Sequence, residues 1–349
     1  MINNSPSESL KKYLTEGTHY HLLSDNNVQC FSCANECILK ANQTGICNVR
    51  YNVDGKLYVP FGYVSALNKD PIEKKPFFHV KPGSLTLSIG MLGCNFKCSF
   101  CQNWQISQVN KDINSHISIM PISAKEIVEL SLKDNIKTIT STYNEPLITS
   151  EWSKAIFEEA TTHGIHGAFV SNGFASAEIL KSILPLIKYY KVDLKSFNKE
   201  NYKNCGGALQ KVLETIEFLY KNNIWIEIVT LLIPDYNNSK KEISEIANFI
   251  KSISEFIPWH ITAFHPDYKM LNYNNTTSTM IVEAIEIGKQ VGLKYIYTGN
   301  LSSLREYENT YCFECNNLLI ERYGYNIKRN IISDNSCPKC KTSIHGCWE

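Results

Sequence analysis

The sequence has no excess of charge of either sign: 35 Lys and Arg stand against 34 Asp and Glu, a net charge of +1. A chain so balanced has no electrostatic footprint for nucleic acid or an anionic membrane surface. No apolar run approaches the roughly 20 residues that span a bilayer. The first residues, MINNSPSESLKKY, have no apolar core behind their charges, so neither a membrane span nor a signal peptide is expected. Internal repeats are lacking, and the biased stretch is the Asn-rich Leu271–Thr277. With 349 residues, 43% of them hydrophobic, core-forming residues are not in short supply, which excludes disorder and collagen-like repeats. What is abundant is cysteine, 13 in all. In a cytoplasmic chain, the compartment expected here, clustered cysteines mean metal ligation or redox chemistry more often than disulfides.

The cysteines form three groups, with Cys205 and Cys347 apart. Between the second group and the third the chain alternates in hydrophobic period. Strands are expected at Ser84–Gly90, Lys137–Tyr143, His166–Ser171, Tyr189–Leu194, Trp225–Leu232, His260–Phe264 and Leu293–Tyr297. Helices are expected at Ser123–Lys133, where Ser123 and Glu126 form a capping box, and at Ser150–His163, Ala175–Leu186, Leu209–Asn222, Ser239–Ser252 and Thr277–Val291. Alternating strands and helices mean a parallel sheet, closed, partly closed or doubly wound, with active residues at the C-terminal ends of its strands.

Just after the first of these strands the chain reads GCNFKCSFCQNW, placing Cys94, Cys98 and Cys101 in a C-x3-C-x2-C spacing. Three thiolates do not complete a tetrahedral zinc site without a fourth ligand. They can hold three irons of a [4Fe–4S] cube and leave the fourth open to bind and reduce something. The spacing, Phe100 before the last cysteine and the position at a strand's mouth together resemble the radical S-adenosylmethionine (radical SAM) superfamily. The resemblance implies an α/β fold, a partial (βα)6-type radical SAM barrel with small Cys-rich metal-binding modules at both ends. The corresponding division is 1–80 for the N-terminal Cys-rich segment, 81–303 for the barrel and 304–349 for a zinc-ribbon-like module.

The same resemblance assigns cofactor contacts at other strand ends. Thr142-Tyr143-Asn144-Glu145-Pro146 stands where the superfamily often has Gly-Gly-Glu-Pro, so Asn144 and Glu145 are expected to hold the amino group of SAM. Val170-Ser171-Asn172-Gly173 resembles the Asp-Thr-Asn-Gly of glycyl-radical activases, with Ser171 and Asn172 toward the cofactor and Val170 in place of the activases' Asp. Asp193-Leu194-Lys195 matches their Asp-Leu-Lys, and Asp193 and Lys195, at alternate positions, share a face. His265 stands where the activases place a His near the nucleoside, while His260 is expected to be structural. GCNFKCSFCQNWQISQ, STYNEPL, SNGFA, DLKSF, WHITAFHPDYKM and YIYTGN are together similar to the AmmeMemoRadiSam-system radical SAM enzymes, relatives of the pyruvate formate-lyase activating enzyme.

The flanking cysteines read differently. Cys312-x2-Cys315 and Cys337-x2-Cys340, 21 residues apart, are two hooks that give a closed four-thiolate site, with zinc favoured over a rubredoxin-like iron. Cys30, Cys33, Cys37 and Cys47 lie within 18 residues and fit either one tetrahedral metal or a second Fe–S cluster. Cys205 is read as a packed thiol.

The implied reaction is reductive cleavage of SAM by the [4Fe–4S] cluster to a 5′-deoxyadenosyl radical, which abstracts hydrogen from a substrate. The substrate itself and any catalytic side chain stay unassigned. Pro266–Thr277 is a candidate lid. Implied partners are a reductant of flavodoxin or ferredoxin type and either a protein glycine, as in an activase, or Memo and AMMECR1-like proteins. Two rival readings are a non-catalytic iron–sulfur electron carrier and an RNA-modifying enzyme, the second weakened by the neutral charge.

Overall fold

The computed structural model describes residues 8–109, 111–115 and 118–348. Its main sheet has eight strands: β1 Ala66–Pro71, β2 Leu85–Gly90, β3 Thr138–Ser141, β4 His166–Ser171, β5 Ile187–Asp193, β6 Trp225–Leu232, β7 Trp259–Ala263 and β8 Ile296–Gly299. Each strand lies beside its neighbour in the chain. β2 to β8 are parallel, and β1 pairs antiparallel with β2. β8 and β1 are the two free edges, so the barrel is partial.

Six crossovers join the parallel strands. α1 Ala124–Lys133, α2 Ser150–Thr161 and α3 Ala177–Ile183 make the first three. α4 Lys199–Cys205 with α5 Leu209–Lys221, then α6 Lys240–Ile253 and α7 Ser278–Val291, make the rest. The local chemistry explains their starts. Ser123 accepts from the Glu126 N–H while Glu126 reaches back to it, and Ser176, Ser239 and Thr277 cap α3, α6 and α7 by accepting the N–H of Ile179, Glu242 and Met280. α4 and α7 end on Gly206 (φ 93°) and Gly292 (φ 104°), left-handed positions that an L side chain resists.

Parallel strands covered on both faces should be apolar or internally satisfied throughout. Every residue of β3 and β7 is buried, and Thr86 of β2 donates to the Thr138 carbonyl (3.0 Å) to settle one hydroxyl. Helices cover the outer face with Ile127 and Val128 of α1, Trp152, Ile156 and Phe157 of α2, and Ile243, Ile246 and Ile250 of α6. At Gly167 the approach is so close that a Cβ would lie 2.5 Å from the Leu186 carbonyl oxygen and 2.7 Å from the Phe157 ring.

All seven expected strands are present with ends shifted by up to three residues, and the expected helix Ala175–Leu186 breaks at Ile183 into a 3-10 turn, Leu184–Leu186, that contains Pro185. Within the main sheet and its crossovers two elements were not expected from the sequence, β1 and α4. β1 falls inside the stretch 1–80 that the sequence analysis gives to the Cys-rich segment, yet it bonds to β2 along its whole length. Before it, residues 14–60 form two three-stranded antiparallel sheets, and after β8 a third is made of Thr310–Tyr311, Leu318–Tyr323 and Asn326–Asn330. Among the described residues no helix is long and apolar enough to cross a membrane.

Candidate functional site

A cavity of about 770 Å³ opens inside the partial barrel. Cys94, Cys98 and Cys101 line it together with Asn144, Glu145, Ser171, Asn172, Asp193 and Lys195, so residues from a loop and three further strand ends converge on one space. On the free-edge side its wall is made by Lys74, Lys75 and Phe78, and by Arg305, Glu308, Gly324 and Tyr325 from the C-terminal part.

The cysteine loop is fixed from several sides. The Phe96 N–H points at Cys94 Sγ (3.3 Å), and Ser107 Oγ lies 3.2 Å from Cys101 Sγ. Lys111 Nζ donates to the carbonyls of Cys94 and Phe96, and Asn172 Nδ2 donates to Asn95 Oδ1 (2.7 Å). Burial pushes the Cys94 thiol up to about 12, with Lys111 opposing, and burial likewise raises Cys101. Cys98 is raised by hydrogen bonding with Cys205 and then by burial. As thiols they are inert, so a cation must displace their protons for them to act as ligands. They are not drawn to within 4.8 Å of one another, unlike the C-terminal set. That openness, with N–H and hydroxyl groups aimed at sulfur, suits a multi-iron cluster better than a single ion.

The residues expected to contact the cofactor first contact one another. Glu145 takes three hydrogen bonds: from the Leu147 N–H (3.1 Å), Ser171 Oγ (2.7 Å) and the Asn172 N–H (2.8 Å). A carboxylate has about four acceptor positions, so one remains for an ammonium group. Burial raises Glu145 to about 7, against the hydrogen bonds of Asn172 and Ser171. Asn144 Oδ1 accepts from the Met91 N–H (3.0 Å), which ties the ends of β2 and β3.

Tyr143, in the position of a superfamily glycine, is held at φ 70°. Gly90 makes the room, because a Cβ there would sit 2.9 Å from the Tyr143 ring. The strained backbone is secured by a saturated hydroxyl, which donates to Asp70 Oδ2 (2.6 Å) and accepts from Asn68 Nδ2 (3.1 Å) and Lys75 Nζ (3.2 Å). Asp70 also pairs with Lys74 (2.8 Å) and Lys75 (2.7 Å). Opposing the effect of its burial, those two lysines and Tyr143 hold the Asp70 carboxyl below the usual range.

Asp193 and Lys195 do face the cavity, as their alternation implies, and Lys191 extends the same face one step deeper. Asp193 pairs with Lys191 and, at 3.5 Å, with Lys195. Lys191 escaped the sequence reading; the signal was there in the K-x-D-x-K alternation.

His265 is placed differently from expectation. β7 ends at Ala263, and Thr276 clamps the chain at Phe264, accepting its N–H through Oγ1 (3.0 Å) and donating its own N–H to the Phe264 carbonyl (3.0 Å). His265 therefore lies beyond the turn, exposed and outside the cavity lining, with Nε2 2.9 Å from Gln102 Nε2. His260 is buried against Glu227 (2.7 Å) and also lines the cavity. The stretch Pro266–Thr277 packs on the cysteine loop: the Lys269 N–H donates to the Ser99 carbonyl (3.0 Å), and Tyr268 stacks on Trp104 at 5.1 Å.

The C-terminal cysteines form a closed set. Cys312, Cys315, Cys337 and Cys340 have all sulfurs within 4.8 Å, with Cys312–Cys340 at 3.5 Å and Cys315–Cys337 at 3.7 Å. Metal–sulfur bonds of about 2.3 Å in a tetrahedron give sulfur–sulfur edges of about 3.8 Å, so one mononuclear ion fits. The set packs with Leu319, Ile320 and Ile344 onto Phe78, Tyr295 and Tyr297 of the barrel. If this set holds an ion, Cys315→Ser is expected to lose it and to lower the thermal midpoint by several degrees, read by elemental analysis and a melting curve. Cys30, Cys33, Cys37 and Cys47 share one region, where Cys37 and Cys47 Sγ lie 3.8 and 3.6 Å from the point a Cβ on Gly45 would occupy. Among the described residues their sulfurs are not all within 4.8 Å of one another, as those of the C-terminal set are.

The model of the Radical SAM superfamily matches residues 88–250. An uncharacterized protein of Methanocaldococcus jannaschii is 38% identical over 332 residues, covering 94% of this chain and 97% of its own length. The isethionate sulfite-lyase activating enzyme of Desulfovibrio desulfuricans is 27% identical over 129 residues, 35% of this chain and 41% of that enzyme. Among solved structures, Streptococcus suis SuiB bound to S-adenosylmethionine shares the fold with a TM-score of 0.50 at 12% identity, over 69% of this chain and 56% of SuiB.

Proposed function

We propose that this chain, which belongs to the radical SAM superfamily, cleaves S-adenosylmethionine reductively and uses the radical produced to take hydrogen from a substrate in the central cavity. The observation that carries this reading is the convergence of Cys94, Cys98 and Cys101 with Asn144, Glu145, Ser171 and Asp193 on one cavity at the strand ends.

In this reading Cys94, Cys98 and Cys101 would hold a [4Fe–4S] cluster, which would supply the one electron needed for reductive cleavage of SAM at its sulfonium–C5′ bond. The chain's own residues do the rest. Glu145 offers its remaining acceptor position to the ammonium of SAM, and Asn144 helps align it. Lys195 answers the carboxylate and the negative charge of the cysteine loop, held in place by Asp193. Ser171 and Asn172 brace Glu145 and the cysteine loop at once. Pro266–Thr277 excludes water from the outer side of that loop.

His265 is not part of this set. The division at 1–80, 81–303 and 304–349, a zinc ion at the C-terminal set and a cytoplasmic location belong to the same proposal. The likeness to an activating enzyme favours, as a second reading, a glycyl radical formed on a protein partner, with a flavodoxin- or ferredoxin-type reductant. Memo and AMMECR1-like partners rest on the sequence resemblance alone. Anaerobic formation of 5′-deoxyadenosine from SAM by reconstituted, reduced protein tests the main reading, and a cluster-loaded, fully reduced sample that forms none would reject it.

Glu145 gives this reading a pH signature. Burial raises its carboxyl to about 7, so below that pH it is largely protonated and offers a cation less. SAM affinity is expected to rise severalfold from pH 6 to pH 8, and Glu145→Gln to bind weakly with that rise gone. Equilibrium dialysis with the oxidised cluster reads both.

A further inference from the structure

The residues assigned to SAM come from the ends of β3, β4 and β5, so they occupy one side of the cavity. The other side, the inward face of β6, β7 and β8, is left for a substrate. Val229 and Leu231 of β6, His260 and Thr262 of β7 and Gly299 of β8 line it. The register fixes how near this wall stands to the cofactor. Asp193 pairs with Val229 and Val229 with His260, so the three share one level and one face of the sheet. With neighbouring strands about 4.8 Å apart, the His260 backbone lies about 10 Å from that of Asp193.

His260 brings unfinished chemistry to that wall. Its side chain is 2% exposed, and its Nε2 lies 2.7 Å from Glu227 Oε2. Glu227 is fully occupied, for it also accepts from the Phe78 N–H (3.0 Å), the His79 N–H (2.9 Å) and Trp225 Nε1 (3.2 Å). A carboxylate that takes four donors is ionised, so Nε2 is itself a donor, and a neutral ring then carries a bare lone pair on Nδ1. Burial favours that neutral ring, against the pull of Glu227. Among the described residues Nδ1 has no hydrogen-bond partner, and it is not one of the polar atoms sealed within the packing. Phe78 backs the ring edge-on, with centres 4.7 Å apart. The open nitrogen therefore belongs to the cavity that His260 lines.

Thr262 repeats the situation two residues on. It shares the face of His260 and lines the cavity, and its hydroxyl has no hydrogen-bond partner among the described residues. Its register partners are Leu231 and Gly299. The glycine keeps the place open, because a Cβ there would sit 3.0 Å from Thr262 Cγ2. Thr298, by contrast, donates its hydroxyl to the Leu304 carbonyl (3.2 Å). Buried polar groups find partners within the fold as a rule, so an acceptor and a hydroxyl left open on one face of a cavity point to a ligand that completes them.

We propose that His260 and Thr262 form a substrate-recognition edge, in which His260 Nδ1 accepts a hydrogen bond from a hydroxyl or N–H of the substrate and the Thr262 hydroxyl makes a second contact. Val229 and Leu231 face the apolar part of the same molecule. Glu227 is a positioning residue that holds the imidazole in its accepting tautomer. The inference rests on the radical SAM reading and gives its substrate a class: a partly apolar molecule or side chain with a hydrogen-bond donor near the C–H bond to be broken. Hydrogen abstraction needs that bond held still, and two directional contacts on a rigid strand supply the hold.

The test uses holoenzyme with its cluster oxidised and SAM saturating, so that nothing turns over. The probes are propylene glycol and N-methylacetamide, which carry hydroxyls and an amide N–H on partly apolar frames. Their capped counterparts, the dimethyl ether of the glycol and N,N-dimethylacetamide, lack the donor. In protein with isotopically labelled histidine, nitrogen resonances should show the His260 ring protonated at Nε2 and bare at Nδ1. The Nδ1 signal should shift saturably with at least one donor probe, with a Kd of about 10 mM or tighter. The capped counterpart should bind at least about tenfold more weakly. His260→Gln, which keeps an amide N–H for Glu227 and loses the acceptor, should weaken binding about tenfold or more, read by saturation transfer to the probe. Thr262→Val should weaken it about threefold or more, and the tighter probe tells a hydroxyl from an N–H. If neither donor probe shifts the signal in wild-type holoenzyme, the proposal fails whatever the variants do. A ring protonated at Nδ1, capped probes that bind equally well, or full binding by either variant overturns it too. The radical SAM reading is judged apart, by 5′-deoxyadenosine from the same wild-type preparation after reduction.

Discussion

Cys98→Ala is expected to abolish 5′-deoxyadenosine formation, a fall of at least about a thousandfold, or roughly 4 kcal/mol of barrier. The reason is geometric and electrostatic together. Cys98 is buried, and it is the middle ligand of a loop whose other sulfurs are braced by the Phe96 N–H and by Ser107. With two thiolates left, a cluster would lose one of its three tethers, and Lys195 would lose the charge of the Cys98 thiolate that acts on it. The variant should also lose the broad visible absorption of an iron–sulfur cluster after reconstitution. Cys347→Ser, which removes a thiol far along the chain, is the control for losing a cysteine as such. A Cys98→Ala protein that still forms 5′-deoxyadenosine would mean that this loop does not house the reactive centre.

Arg50→Ala should cost about 3–5 kcal/mol of stability, the scale of breaking one partner out of a buried ion pair. Arg50 follows the last cysteine of the N-terminal group and reaches Glu151 on α2 through two parallel bonds, each 2.7 Å, with side chains 1% and 7% exposed. It also donates to the Ile148 carbonyl (3.0 Å). Glu151 is filled on both oxygens, because the Thr18 N–H (3.2 Å) and Ser150 Oγ (3.2 Å) occupy the remaining positions. Burial alone would raise Glu151; Arg50 outweighs it and brings the carboxyl to about 2.

A folded value below the unfolded one means that this carboxylate stabilises the fold above pH 4.5, and that the contribution is lost as pH falls from there toward 2. In Arg50→Ala the sign reverses, for a buried carboxylate without its cation is raised, and its variant should destabilise further as pH rises. Urea unfolding midpoints across pH 4 to 8 read both effects. Equal midpoints for variant and wild type at pH 7 would refute the assignment.

The parallel strands were legible because β-branched and aromatic runs, separated by capped amphipathic helices, admit few other arrangements. β1 was not. Its sequence, Ala-Leu-Asn-Lys-Asp-Pro, is polar and ends in proline, as an edge strand that must resist further pairing tends to be. The cysteine loop and the Glu145, Ser171 and Asp193 positions could be read from strand ends, since a parallel sheet sends all of them to one side. Three features could not. Tyr143 looked like a loss of two glycines, and only its contacts with Asp70 and Lys75, 73 and 68 residues away, show what the ring holds. Lys75 lies on a turn that belongs to no periodic pattern. His265 was placed by the resemblance to the activases, and the structure sets it past the end of β7 at Ala263, exposed and beside Gln102.

The order of the sheet has a consequence for how the molecule is made. Strands that pair only with their neighbours in the chain can dock one after another as they leave the ribosome, each closing a loop of modest length before the next is available. The exception comes last. Arg322, near the end of the chain, donates to the Phe78 carbonyl (2.7 Å), and Cys347 donates its N–H to His79 (2.7 Å), so the gap between the free edges is sealed by residues synthesised after everything they seal. Until then Phe78, Tyr295 and Tyr297 stand uncovered, and the wall that carries Arg305 and Tyr325 has nothing to rest on. Until those residues emerge, the central cavity is open to solvent on that side.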